Sequence, residues 1–227
     1  MMIPTKDYWD SQYAADALPK LLDGLKLTVQ ISLLGFALAA VLGLLVAVVR
    51  RSKIPVISHL FSFYVLFIRG TPLLVQAIFV YFVLPKLPGV GVSLSLFWAG
   101  VVVMGVNYSA YCAEVYRAGI EDLPAGQWEA ATALSLPRAT TWGRVVLPQA
   151  IRSVIPILGN YLVQMFKDSA VLLGIGVVEL LNSANIYGQD SYRFVEPMVM
   201  AGLLYLIVSI PASLAFRVME RRLAVNA

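Results

Sequence analysis

From Leu27 to Val49 the chain runs for 23 residues without a charge. A helix that crosses the hydrocarbon core of a bilayer needs about 20 such residues, and any other backbone would leave its polar groups unpaired there. Further apolar stretches cover roughly 57–84, 93–113, 153–178 and 197–216. The expected fold is an all-α membrane protein with about five transmembrane helices, forming one transmembrane domain over residues 1–227. Composition agrees. Of the 227 residues 59% are hydrophobic and 13% charged, against about 25% charged in soluble domains, and the mean hydropathy is +0.79. The sequence pI near 9.2 carries no implication of nucleic-acid binding, because basic residues in membrane proteins mark the cytoplasmic side.

Orientation depends on where those basic residues fall. Arg50, Arg51 and Lys53 follow span 1, Arg117, Arg138, Arg144 and Arg152 follow span 3, and Arg217, Arg221 and Arg222 follow span 5. The opposite loops hold Lys6, Lys20, Lys26, Lys86 and Arg193. Ten against five places the first group in the cytoplasm, with the N-terminus outside and the C-terminus inside. The opening segment Met1–Gly24 is polar and carries Asp7, Asp10, Asp16 and Asp23. It does not read as a cleavable signal, which opens on a basic region. The single cysteine, Cys112, lies in an apolar span and reads as packing. The lone histidine, His59, cannot hold a metal by itself, so no metal site and no catalytic residue is expected.

Two polar features lie inside the spans. Arg69 is about 22 Å along the second helix, near mid-bilayer, where an arginine costs roughly 2.5–3.5 kcal/mol and must face protein or water. Gly70-Thr71-Pro72 comes next and can interrupt the helix, with Thr71 capping a new one whose first residue is Pro72. A helix start at that depth offers partial positive charge to an anionic solute group. Arg69 and Thr71 are therefore candidates for binding a carboxylate. The alternative is a proline kink with Arg69 paired structurally to Asp168. In the fourth span Asn160, Gln164 and Lys167 share one helix face, with Asp168 four residues after Gln164. This stripe lines a polar path or bonds a neighbouring subunit. The Lys167-Asp168 pair splits the fourth span or makes part of it re-entrant. Near the inner end of span 3, Glu114 and Arg117 are spaced for an i,i+3 salt bridge; Asn107 and Tyr108 lie deeper and are lesser candidates for the path.

The segment of about 117–150 is too short for a catalytic domain. Pro124 and Pro137 bracket Ala125–Leu136, which predicts a helix of about three turns. Its alanines let another protein approach the backbone closely, and Glu129 falls early enough for the helix dipole to favour its carboxylate. Within it Glu129-Ala130-Ala131 is followed by three residues, Ser135, nine residues, and Val145-x-Leu147-Pro148. That spacing closely resembles the cytoplasmic coupling motif of permease subunits in binding-protein-dependent ABC importers. Ser135 stands where the family has Gly, and Val145 where it has Ile. Arg69-Gly70-Thr71-Pro72-Leu73-Leu74-Val75-Gln76, Ala113 to Ile120 leading to Gly126-Gln127, and Lys167-Asp168-Ser169-Ala170-Val171-Leu172 are similar to stretches of the polar-amino-acid branch, the histidine/glutamine type. Leu66 and Ser169-Ala170 depart from it, where the family often has Glu and Thr-Ser.

The resemblance implies a permease subunit of an ATP-driven importer for polar amino acids or related zwitterionic solutes, such as ectoine-like or betaine-like compounds, in the bacterial inner membrane. It implies a second permease subunit, identical or paralogous, two cytoplasmic ATPases, and an extracellular or periplasmic solute-binding protein. Contact with the ATPase falls to Gly126, Glu129, Ala130, Ala131, Ser135, Leu147 and Pro148. The solute path falls to Arg69, Thr71, Gln76, Asn160, Gln164, Lys167 and Asp168. No cofactor is expected on this chain. It has no phosphate-binding Gly-x-x-x-x-Gly-Lys-Ser/Thr loop, so ATP and Mg belong to the partner. Two other classes fit less well. A secondary transporter shows paired broken helices, and here one good break is found. An intramembrane enzyme needs a reactive pair that the chain does not offer.

Overall fold

The computed structural model describes residues 9–52, 54–89 and 91–225. Lys6, Asp7 and Lys53 lie outside the described residues.

Helix α1 spans Ser11–Arg50, about 60 Å at the α-helical rise. Asp10 starts it by accepting the backbone N–H groups of Gln12 at 2.9 Å and Tyr13 at 3.1 Å. It therefore begins well before residue 27. The reason is its face rather than its hydropathy: Ala17 and Leu21 are buried against Leu180, Ala184 and Ala201. A search for uncharged runs misses a helix end that one buried stripe holds in place.

Helix α2, Pro55–Gly70, and α3, Leu73–Ile78, meet at 106°. Helix α3 continues through a π-helical turn, Phe79–Val83, into a 3-10 turn, Leu84–Lys86. The predicted span 57–84 is therefore a broken one. Helix α4, Leu96–Glu121, overruns the predicted 93–113, because its charged end is paired. Glu114 binds Arg117 at 2.8 Å and Arg50 at 2.5 Å, and Arg117 binds Glu121 at 2.7 Å. The expected Glu114–Arg117 bridge is thus one link in a network that fastens α1 to α4.

Packing between α1 and α4 dominates the bundle. Gly35, Ala39, Gly43 and Ala47 recur at intervals of four on α1 and are all buried. A Cβ added to Gly43 would lie 2.6 Å from the Cys112 Cβ and 2.9 Å from the Ser109 carbonyl oxygen. Small residues at this spacing let helix backbones approach closely, which is how helices associate in lipid.

After α4 come α5, Ala125–Ala133, a single turn α6, Arg138–Thr140, and a π-helical stretch, Thr141–Val146. Helix α7, Leu147–Asp168, continues as a 3-10 segment, Ser169–Ile175. The fourth span thus starts earlier than residue 153, and its α-helix ends at the Lys167-Asp168 pair. Gly176 then turns the chain at φ 92. A helix not expected from the sequence, α8, Leu180–Ser191, precedes α9, Val195–Val225. Four described helical stretches, Ser11–Arg50, Leu96–Glu121, Arg138–Ile175 and Val195–Arg222, are long and apolar enough to cross a bilayer, and the bent α2–α3 pair makes a fifth. The protein is an all-helical membrane protein with four to five spans.

Candidate functional site

The break between α2 and α3 is built by its own polar groups. Pro72 has no N–H to offer and forces Thr71 into extended backbone, φ −116 and ψ 141. The Ile68 carbonyl loses its helical partner, because its donor would be the missing N–H of residue 72. Thr71 Oγ1 donates to Phe67 O at 2.9 Å, and Gln76 Nε2 donates to Ile68 O at 2.9 Å and to Thr71 Oγ1 at 2.7 Å. Asn107 Nδ2 then donates to Gln76 Oε1 at 3.1 Å, which ties the break to α4. Thr71 thus closes the helix behind it. The residue in the N-cap position of α3 is Pro72, without a side-chain hydrogen bond, so the expected Thr71 cap is not formed.

Beside the break lies a cavity of about 420 Å³. Arg69, Thr71, Tyr108, Tyr111, Tyr161 and Asp168 contribute to its wall, with Asn107 and Gln164. Its size suits a small solute. The three tyrosines contact one another, with ring centroids 5.8 to 6.2 Å apart. The Arg69 guanidinium lies over the Tyr111 ring at 5.3 Å, a cation–π contact. Asp168 accepts the Tyr108 hydroxyl at 2.6 Å. The alternative pairing of Arg69 with Asp168 does not occur: Tyr108 occupies the carboxylate, and Arg69 forms no ion pair among the described residues. The cavity therefore presents one cationic and one anionic group, both half-used.

Asn160, Gln164 and Lys167 do share a face, and they line a second cleft of about 440 Å³ with Asp168 and Ser213. Gln164 and Asp168 belong to both spaces. The structure therefore brings Arg69, Thr71, Gln164 and Asp168 together, with Gln76 bonded behind Thr71. It leaves Asn160 and Lys167 outside, exposed on α7. Tyr111 and Tyr161 are wall residues that the sequence does not single out. A signal exists for one of them, since Tyr108 and Tyr111 are three apart on one helix face.

At the end of the bundle that holds Arg50 and Glu114, α5 stands on a small apolar cluster. Ile120, Val146 and Ala150 form it, with Leu123, Trp128 and Trp142 packed against them. The rings of Trp128 and Trp142 meet edge to face at 5.7 Å. Ala131 is buried, whereas Gly126, Glu129, Ala130 and Ser135 are exposed, and a Cβ on Gly126 would touch nothing within 4 Å. Leu147 and Pro148 open α7, half-buried behind the cluster. Glu129 is the fifth residue of α5, past the first turn, so the dipole argument for its position fails. The helix is also shorter than predicted. It stops at Ala133 in a Schellman motif: Leu136 N–H donates to Ala131 O at 3.0 Å and Ser135 N–H to Thr132 O at 2.9 Å. Ser135 takes φ 50, the left-handed region that favours glycine.

One buried carboxylate lies outside both regions. Glu179 is fully buried and caps α8, accepting Leu181 N–H at 3.0 Å, Asn182 N–H at 2.8 Å and the Tyr205 hydroxyl at 2.8 Å. Burial pushes its carboxyl above the ordinary range, and these donors pull the other way.

Residues 39–225 match the family model described as "Binding-protein-dependent transport system inner membrane component". The chain is 43% identical over 217 residues to the "Probable amino-acid ABC transporter permease protein y4tG" of Sinorhizobium fredii, covering 93% of each chain. It is 34% identical to the "Arginine transport system permease protein ArtQ" of Bacillus subtilis, covering 92% of this chain and 94% of that one. A solved structure, "Crystal structure of an amino acid ABC transporter with histidines", superposes with a TM-score of 0.85 at 34% identity, covering 98% of this chain and 100% of the other. An inward-facing MetNI methionine transporter shares the fold, with a TM-score of 0.70 at 19% identity.

Proposed function

Because the chain belongs to the family of inner-membrane components of binding-protein-dependent transport systems, we propose that it carries polar amino acids or related zwitterionic solutes inward, powered by ATP hydrolysed on a separate subunit. The observation that carries this reading is the cavity at the α2–α3 break. It holds a guanidinium and a carboxylate in one space of amino-acid size. Arg69 suits a solute carboxylate, for which the guanidinium fork is the matching donor. Asp168 and the tyrosine wall suit the ammonium group.

The exposed Asn160–Gln164–Lys167 stripe faces a second permease subunit, identical or paralogous, because polar side chains at mid-bilayer do not face lipid. Gly126, Glu129 and Ala130 present the free side of α5 to the ATPase on the cytoplasmic side, and the solute-binding protein delivers solute from the opposite side. ATP and Mg stay on the ATPase. Closure of the ATPase pair moves α5, and the bundle exchanges inward for outward access.

The test is uptake by the complete complex in proteoliposomes, screened with the twenty amino acids, glycine betaine and ectoine. One or a few polar or charged amino acids are expected to be taken up, and only when ATP is supplied on the ATPase side. Charge reversal at Glu129 is expected to abolish ATP-driven uptake. Uptake by the permease alone, without an ATPase, would overturn the assignment.

A further inference from the structure

Two consecutive arginines end α1, and they point to different neighbours. Arg50 fastens to α4 through Glu114 at 2.5 Å, and its carbonyl accepts the Ser58 hydroxyl at 2.7 Å, which closes the α1–α2 turn. Arg51 reaches the other way. Its guanidinium carbon lies 5.9 Å from the centroid of Trp128 and 6.0 Å from that of Trp142. Trp128 is on α5, and Trp142 is on the π-helical stretch that leads into α7. A Glu121 carboxylate oxygen, at the end of α4, lies 3.8 Å from the guanidinium. One side chain from the α1–α2 turn therefore touches both arms of the coupling segment.

The space around this contact is open. A cleft of about 450 Å³ separates the turn from the segment, lined by Arg51, Ser52, Thr132, Leu136 and Arg138 with the two tryptophans. A guanidinium over an aromatic face has no fixed hydrogen-bond direction, so it can slide while keeping contact. That suits a joint that must move under load.

We infer that Arg51 is a positioning residue: it ties the coupling helix to the α1–α2 turn, so that movement of α5 is passed directly to α1 and α2. Without it, force reaches those helices only along the chain, back through the short link to α4 or onward through the π-helical stretch into α7. This rests on the reading of α5 as the ATPase contact, and the experiment separates the two.

The complete complex is reconstituted, and uptake of tritiated L-glutamine, or of the amino acid that the uptake screen selects, is measured beside ATP hydrolysis in the same vesicles. Arg51→Ala is expected to lower solute moved per ATP by about threefold or more, the scale of one cation–π contact, with the ATPase still bound in full amount. Arg51→Lys keeps a cation over the rings and is expected to recover most of the loss. Trp142→Leu is made alone and together with Arg51→Ala, and the double variant is expected to lose less than the product of the two single losses, since both sever one contact, whatever Trp142→Leu also loses at Trp128. If Arg51→Ala does not accumulate, Arg51→Gln carries the same comparison at near-equal length. An unchanged ratio in Arg51→Ala, or multiplying losses in the double variant, overturns the inference. If Glu129→Arg also leaves uptake unchanged, the failure lies with the role of α5; if Glu129→Arg is inactive while Arg51→Ala is normal, it lies with Arg51 alone.

Discussion

Replacing Ser135 with glycine should tighten the end of the coupling helix. Ser135 holds φ 50, and a left-handed backbone costs an L-residue about 1–2 kcal/mol. Its hydroxyl makes no hydrogen bond among the described residues, so glycine removes no side-chain contact. Glycine gives back roughly 0.5–1 kcal/mol as chain entropy in the unfolded segment. From the middle of each range the net gain is about 0.5–1 kcal/mol, and it acts on opening of the two bonds that close the motif, Leu136 N–H to Ala131 O and Ser135 N–H to Thr132 O. Opening by that much less corresponds to a two- to fivefold slower exchange, roughly, of those amides. Hydrogen–deuterium exchange by mass spectrometry in nanodiscs, followed on peptides over residues 128–140, reads this directly. Ser135→Val should move the other way, because a β-branched residue tolerates positive φ poorly. Equal or faster exchange in the glycine variant would refute the reasoning, since the strain assigned to this residue would then not exist.

Gly43→Ala should destabilise the bundle by about 1–3 kcal/mol through overpacking against Cys112 and Ser109, seen as a lower thermal midpoint in detergent. Gly202→Ala, where an added Cβ meets nothing within 4 Å, should leave that midpoint nearly unchanged. Arg69→Gln should weaken apparent solute affinity in uptake by about tenfold or more, the worth of a charge-assisted bond, and Arg69→Lys by less; equal affinity in all three proteins removes the solute role. For Glu179 the folded carboxyl is raised above its ordinary value of about 4.5, so protonation favours the fold. Its contribution is full below about pH 4 and is lost as pH rises through the folded value. The stability of Glu179→Gln relative to the native protein should therefore improve as pH rises from about 4.5 to about 8, measured as the difference in thermal midpoint across that range.

The broken second span is legible because Gly70-Thr71-Pro72 combines a missing donor with a restricted preceding residue, and both act locally. The coupling helix is legible for the same reason, between Pro124 and Pro137. Local rules do not supply the partner of each polar group. Arg69 and Asp168 read as a pair by charge alone, yet Tyr108, brought in from α4, takes the carboxylate. Thr71 reads as a cap for the helix ahead of it, yet the carbonyl it satisfies lies behind it. Helix α8 stays hidden because its start depends on Glu179, a carboxylate that is tolerable when buried only where Tyr205 and two backbone N–H groups converge. The stripe Gly35, Ala39, Gly43, Ala47 is fully present in the sequence, but hydropathy alone passes over it.

The departures from α-helical geometry have a common placement. Phe79–Val83 lies just past the α2–α3 break, Thr141–Val146 joins the coupling helix to α7, and Ser169–Ile175 continues α7 past Asp168. Helices α1 and α4, which hold each other through glycine and alanine and the Arg50–Glu114 pair, have none. Segments of 3-10 and π helix have poorer hydrogen-bond geometry and change pitch at lower cost than an α-helix. A bundle that must alternate between two accesses needs part of itself to stay rigid, so that displacement at one end is not absorbed in between. Here the close-packed α1–α4 pair provides that frame. The pliable segments lie on either side of the Arg69–Asp168 cavity and directly beside the coupling helix, so a displacement of α5 meets compliant backbone first along α7 and rigid backbone first through Arg51 and the short link to α4. The two routes therefore differ in kind: the first lets the cavity change shape, and the second makes the frame move with the coupling helix.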